Sequence, residues 1–173
     1  MSKHLTEEQA RKLLEALRGH PLEAIIMVAL ITGMRRDELL CLKWQDLDLE
    51  KREVRVQNTK TKSSDRMIHL PKGVTEVLEQ HRIRQMEARW EAGTAWQNLD
   101  LVFPDRTGGV LGPDQLVKGF YEILDQAELP PLRFHDLREA RWRALITRLR
   151  TAKEGLEGAQ VEYLDLDNDT YPF

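Results

Sequence analysis

The sequence predicts a mainly helical α+β domain with one small antiparallel sheet. Three observations carry this reading. Apolar residues recur at helical spacing over most of the chain, and only two short runs, Glu53 to Gln57 and Arg66 to Leu70, alternate with a period of two. Gly and Pro punctuation is concentrated between Ala92 and Gly112. The chain has 173 residues, enough for one domain with a real core and too few for two ordinary ones.

Taken in order, Thr6-Glu7-Glu8-Gln9 has capping-box spacing and opens an amphipathic helix with Leu13, Leu14 and Leu17 on its apolar side, ended by Gly19. Pro21 starts a second helix, Leu22 to Thr32, whose nearly continuous apolar character implies burial on most sides. Gly33 breaks it, and Arg36 to Trp44 reads as another short helix containing Leu39, Leu40 and Leu42. The two alternating runs, joined by the polar stretch Asn58 to Asp65, predict a β-hairpin with a long loop. Pro71 closes the sheet segment and helical spacing resumes from Val74 to Trp90. Pro113 begins a helix through Tyr121 and Leu124, and after Pro130-Pro131 a further helix is expected from Phe134-His135 to about Leu149. Beyond Thr151 the periodicity fades.

Composition narrows the function classes. Hydrophobic residues make up 41% and charged residues 32%, a globular balance. The longest apolar run, Ala24 to Ile31, is far short of the roughly 20 residues a membrane span needs. Cys41 is the only cysteine, so no intramolecular disulfide can form, which favours a reducing, cytoplasmic setting. The formal net charge of −3 argues at first against a nucleic-acid partner. It hides an asymmetry: residues 151–173 hold one Lys and six acidic residues, a net of −5, which leaves residues 1–150 at +2. Arg133 to Arg150 carries six arginines against Asp136 and Glu139, a compact basic stripe suited to phosphate.

Candidate chemistry resides in a small set of residues. Arg35 and Arg36 follow Gly33-Met34 at a helix start, Lys60 sits in the hairpin loop between Thr59 and Thr61, and His135 and Arg138 stand three apart. Tyr171 lies close to the end of the sequence. Each alone has an ordinary structural explanation. As a set they supply what phosphodiester cleavage needs: guanidinium groups to fork non-bridging oxygens, a lysine to protonate a leaving oxygen, a histidine to assist proton transfer, and a hydroxyl nucleophile. A tyrosine with a pKa near 10 attacks only with help from such neighbours.

The motif Thr32-Gly33-Met34-Arg35-Arg36-Asp37-Glu38-Leu39-Leu40 resembles the first arginine motif of the tyrosine recombinases of the phage-integrase type. Thr59-Lys60-Thr61-Lys62-Ser63-Ser64 with Ile68-His69-Leu70-Pro71 resembles their hairpin lysine motif. Leu101-Val102-Phe103-Pro104 and Phe134-His135-Asp136-Leu137-Arg138 resemble the segments leading into and forming their second arginine motif. The resemblance covers roughly residues 5–138 and implies the catalytic-domain fold of that family over residues 1–150. It also implies DNA cleavage through a covalent 3′-phosphotyrosine, with Arg35, Lys60, His135, Arg138 and Tyr171 as the catalytic set. Double-stranded DNA is the expected partner, with self-association on it. No metal, small-molecule cofactor or membrane is implied, and the setting is that of a mobile element.

The pattern departs from the family after Arg138. Glu139 follows directly, no Gly-His pair occurs downstream, and Glu162 stands nine residues before Tyr171, where the family has a second histidine or tryptophan. Tyr163 is the weaker rival nucleophile. Back-translating Val161 to Asp165 and moving the frame by one base permits Ser-Ser-Ile-Ser-Thr, which resembles the family segment around the nucleophile. The expectation is therefore a frameshift soon after Arg138, an atypical acidic tail over residues 151–173, and impaired catalysis. The alternative is an inactive integrase remnant that only binds DNA. With only Met1 to Leu5 before the first helix, the DNA-clamping domain that precedes the catalytic one in the family is expected to be missing.

Overall fold

Nine consecutive residues, Ala24 to Thr32, are buried along one helix, and the rest of the fold is arranged around it. The computed structural model describes residues 5–57 and 65–139. Helix α1 (Glu7–Leu17) begins at a complete capping box: the Thr6 hydroxyl accepts from the Gln9 amide at 3.2 Å, and the Gln9 side chain accepts from the Thr6 amide at 2.8 Å. Its buried Ala10, Leu13 and Leu17 form the stripe that the spacing predicts.

The buried helix is α2 (Glu23–Thr32), ended as expected by Gly33 in the left-handed conformation at φ 65°. Helix α3 (Arg36–Leu40) is shorter than the Arg36 to Trp44 expected, and Trp44–Asp46 forms a separate 3₁₀ turn. The cause is long-range. The amide of Trp44 donates to Asp100 O and that of Val102 donates to Leu42 O, each at 2.9 Å, so the chain leaves the helix to pair with the segment around Leu101.

Among the described residues the sheet has three antiparallel strands in sequence order: β1 (Leu47–Asp48), β2 (Glu53–Val56) and β3 (Arg66–His69). The expected hairpin is β2–β3, in register Val54↔Ile68 and Val56↔Arg66. The two-residue β1 is an addition the alternation does not reveal. Val54, Val56 and Ile68 face the core, whereas Arg55 and Met67 face outward. Arg66 lies directly opposite Val56, so it shares the inward face.

Helix α4 (Lys72–Ala92) follows Pro71 and extends two residues beyond the expected Val74 to Trp90 at each end. The loop after it is organised by Asp105, whose carboxylate accepts from the amides of Thr107 and Gly109 at 2.8 and 2.9 Å. Helix α5 (Pro113–Gln126) starts with Pro at its first position and buries Leu116, Phe120, Ile123 and Leu124.

Of the helix expected from Phe134 to about Leu149, the described part is a five-residue 3₁₀ turn, Phe134–Arg138, followed by Glu139 extended at ψ 132°. Residues 140–173 lie outside the described residues, and so do Lys60, Tyr163 and Tyr171. Against α2 pack α3, α4 and the 3₁₀ turn, while α1 packs on α5. Phe134 meets Phe120 edge-on at 5.6 Å between centroids, which fixes the turn on α5.

Candidate active site

The corner where α2 ends gathers the predicted site residues that are described. Thr32 Oγ1 donates to Val28 O at 2.6 Å and accepts from the Met34 amide at 3.2 Å, so the hydroxyl braces the chain on both sides of Gly33. Met34 is buried, which leaves Arg35 as the first residue to emerge, extended at ψ 153° and serving as N-cap of α3. Its side chain is 60% exposed.

Arg138 reaches the same corner from the far end of the sequence. Its Nε donates to Gly33 O at 2.8 Å. This bond uses one edge of the guanidinium and anchors Arg138 two residues from Arg35.

His135 stands on the same 3₁₀ turn as Arg138, three residues earlier, and side chains at that separation eclipse in a 3₁₀ helix. The shared face expected of an α-helix thus survives the change of helix type. His135 is 64% exposed, and its Nε2 lies 3.1 Å from Asp136 Oδ1. Asp136 is itself buried and is held by a fork from Arg133, with Nε to Oδ2 and Nη2 to Oδ1 both at 3.0 Å. The Arg133 hydrogen bonds hold the Asp136 carboxyl below the usual carboxylate range, against the opposing effect of burial, and His135 and the Arg133 charge add to the lowering.

A cavity of about 420 Å³ opens at this corner, lined by Arg35, Arg36, Arg133 and His135 with Val117 and Tyr121 of α5 as its apolar side. Asp37 also lines it and lies 3.5 Å from Arg36, so the rim is mainly but not wholly cationic, and over its apolar side it accommodates a phosphate and the sugar or base attached to it. Arg35 and His135 therefore share one cavity, Arg138 joins them through Gly33, and the placement of Lys60 and Tyr171 lies outside the described residues.

Two residues of this corner were not anticipated. Glu38 accepts the Arg35 amide at 2.7 Å and is met by Arg66 from β3 at 3.2 Å. Burial raises the Glu38 carboxyl, but the Arg35 amide and the two arginines outweigh it and hold it below the usual value. Its position as the third residue of a helix capped at Arg35 is a capping-box signal legible in the sequence. Arg66 could have been found as the charged residue in the inward register of β3.

Comparison with known proteins bears on the family and the fold. The family model described as phage integrase family matches residues 3–149. A tyrosine recombinase XerC-like protein of Caldanaerobacter subterraneus subsp. tengcongensis is 34% identical over 158 residues, covering 77% of this chain and 40% of the relative. An integrase of Streptomyces ambofaciens is 36% identical over 142 residues, covering 73% of this chain and 37% of the relative. The chain thus spans about 40% of the length of these curated relatives. Among solved structures, XerA recombinase superposes with a TM-score of 0.67 at 19% identity, over 91% of this chain and 50% of that one. XerH recombinase bound to its difH substrate superposes with a TM-score of 0.62 at 25% identity, over 88% and 44%.

Proposed function

This chain belongs to the phage integrase family, and from that membership we propose that residues 1–150 form the strand-cleaving domain of a site-specific DNA recombinase. The observation that carries the reading is the bond from Arg138 to Gly33, which joins the second arginine motif to the first, two residues from the Arg35 that lines a cavity with His135.

In this reading Arg35 and Arg138 clamp the non-bridging oxygens of one phosphate and stabilise the charge of the pentacovalent transition state. The phenol oxygen of Tyr171 attacks phosphorus, the bond to the 5′-oxygen breaks, and Lys60 supplies the proton that oxygen takes up. His135 assists by accepting the proton that the phenol of Tyr171 gives up on attack. The 3′-phosphotyrosine conserves the energy of the broken bond, so attack by a 5′-hydroxyl rejoins the strand and releases the tyrosine. The partner is double-stranded DNA, with further copies of the chain assembling on it; the XerH neighbour was solved bound to its difH substrate. The setting is the cytoplasm, and the biological source is a mobile element.

A second reading is favoured by Glu139 and Glu162. Glu139 directly follows Arg138, Glu162 stands nine residues before Tyr171 where the family pattern has its second histidine or tryptophan, and carboxylates repel a phosphate. Residues 151–173 are then an acidic tail produced by a shifted frame, and the domain binds DNA without cutting it.

Trapping on a suicide substrate, whose nicked strand diffuses away after cleavage, separates the two. A covalent adduct lost in Tyr171→Phe supports the recombinase. No adduct, together with salt-sensitive binding lost in Arg35→Ala, supports the remnant. Absence of DNA binding at low salt sinks both. The nucleotide sequence beyond codon 138 decides the frameshift: an alternative frame without a Gly-His pair and a tyrosine removes that explanation.

A further inference from the structure

Two arginines converge on the Glu38 carboxylate, and they hold it unequally. Arg66 approaches with both terminal nitrogens, Nη1 to Oε1 at 3.4 Å and Nη2 to Oε2 at 3.2 Å. Arg35 contributes its backbone amide at 2.7 Å, while its guanidinium comes no nearer than 3.5 Å, through one nitrogen. The burial follows the same order. The Glu38 side chain is 13% exposed, that of Arg66 29% and that of Arg35 60%. The half-buried cation forks the carboxylate and the exposed one only touches it.

We propose that Arg66 is a positioning residue for Arg35: by neutralising Glu38 it leaves the Arg35 guanidinium free to take a phosphate. The inference rests on the reading of Arg35 as a phosphate ligand. A carboxylate this buried needs a cation and hydrogen bonds. Two candidates are within reach, and a guanidinium that forks a carboxylate offers less to a phosphate, because both anions compete for the same planar edge. Arg66 resolves that competition because it comes from a different element. The register of β3 opposite Val56 directs it inward, and α3 carries Glu38 to meet it. Removing Arg66 lets Glu38 draw Arg35 into the fork and out of the cavity.

A purely structural tie between β3 and α3 predicts otherwise. Under it, loss of Arg66 costs stability, and a second substitution at Glu38 restores nothing at Arg35. The deciding experiment uses the full chain and four proteins: wild type, Arg66→Ala, Glu38→Gln and the double variant, with Arg66→Lys as a milder change should Arg66→Ala fail to fold. Two readouts are taken, the NMR signal of the Arg35 side-chain Nε–Hε group (assigned by its loss in Arg35→Lys) and the affinity for a short DNA duplex of arbitrary sequence at low salt.

In Arg66→Ala the Arg35 signal shifts and its exchange with water slows, and DNA affinity falls about tenfold, the size expected for one charge-assisted fork. In the double variant the signal returns to its wild-type position and affinity recovers to within roughly threefold of wild type. Arg66→Lys, which keeps the charge and loses the fork, falls between. An Arg35 signal that does not move in Arg66→Ala and Arg66→Lys overturns the inference, and so does a double variant no better than Arg66→Ala. If the wild type shows no Arg35-dependent DNA binding, the proposed function fails, and the NMR comparison still decides the role of Arg66.

Discussion

Arg138 donates through Nε to the carbonyl of Gly33, across 105 residues of sequence. The bond engages a carbonyl at the end of α2, where a helix leaves acceptors unpaired and its dipole favours a cation. It also fixes which edge of the guanidinium remains for a ligand.

Arg138→Lys is therefore expected to behave as a loss of function despite keeping the charge. A lysine offers a point charge and no fork, so it cannot hold the carbonyl and a phosphate edge together. Duplex binding measured by fluorescence anisotropy should weaken about tenfold, while thermal stability changes by no more than about 1 kcal/mol, the usual net value of one hydrogen bond. Affinity equal to wild type would remove Arg138 from the phosphate clamp.

Gly33 holds φ 65°, a conformation that costs any other residue about 1 kcal/mol. Gly33→Ala should lower the urea midpoint by a corresponding amount. Because Arg35 emerges two residues later, its DNA affinity should fall further than that of Gly19→Ala, a second positive-φ glycine placed after α1. Equal affinities in the two variants would show that strain at the α2 terminus does not reach Arg35.

Phe120 carries the edge-on contact with Phe134 and is fully buried. Phe120→Ala should cost about 3–5 kcal/mol of stability by leaving a cavity. Phe120→Leu keeps most of the volume and loses the ring contact, so its smaller loss should be accompanied by greater mobility of the turn carrying His135 and Arg138. Amide hydrogen exchange at Leu137 and Arg138 reports that mobility, and unchanged protection there would contradict it.

Acid should destabilise this corner selectively. Glu38 and Asp136 both titrate lower in the folded chain than their ordinary values. As pH falls, the unfolded state binds protons first, so the stability these carboxylates contribute is complete at neutral pH and is lost as pH drops below about 4. Urea midpoints followed from neutral to acid pH should fall in that window, and Glu38→Gln and Asp136→Asn should each flatten the fall. A slope unchanged in both would assign the acid sensitivity elsewhere.

Binding to DNA should be strongly salt-dependent despite the net negative charge, because each neutralised phosphate releases counterions. Arg35→Ala should reduce the slope of log affinity against log salt by about 1. A slope that stays constant would indicate that Arg35 makes no phosphate contact.

The local signals in the sequence were those that need no distant partner. Thr6 and Gln9 announce α1, the unbroken apolar run announces the burial of α2, and alternation announces β2 and β3. The departures from the expected elements have a common cause. Leu39, Leu40 and Leu42 carry helical spacing, but Leu42 and Trp44 are hydrogen-bonded to the segment around Leu101, and this pairing has no local trace. Likewise the spacing after Phe134 does not reveal that Arg133 forks Asp136 and that the turn ends at Glu139. At the site, Arg35, His135 and Arg138 could be named from motif and order. Glu38 and Arg66 each leave a local trace, in helix position and in strand register, but their pairing arises only when α3 and β3 are brought side by side.

The depth at which α2 is buried has one more consequence. Both arginine motifs take their position from the last turn of that helix, one by continuing the chain and the other by bonding to it. A close-packed rod is among the least compressible parts of a protein. It serves the two guanidinium groups as a gauge block: surface residues can drift through evolution without altering the span between them. A change of even one methylene group inside the rod disturbs both at once.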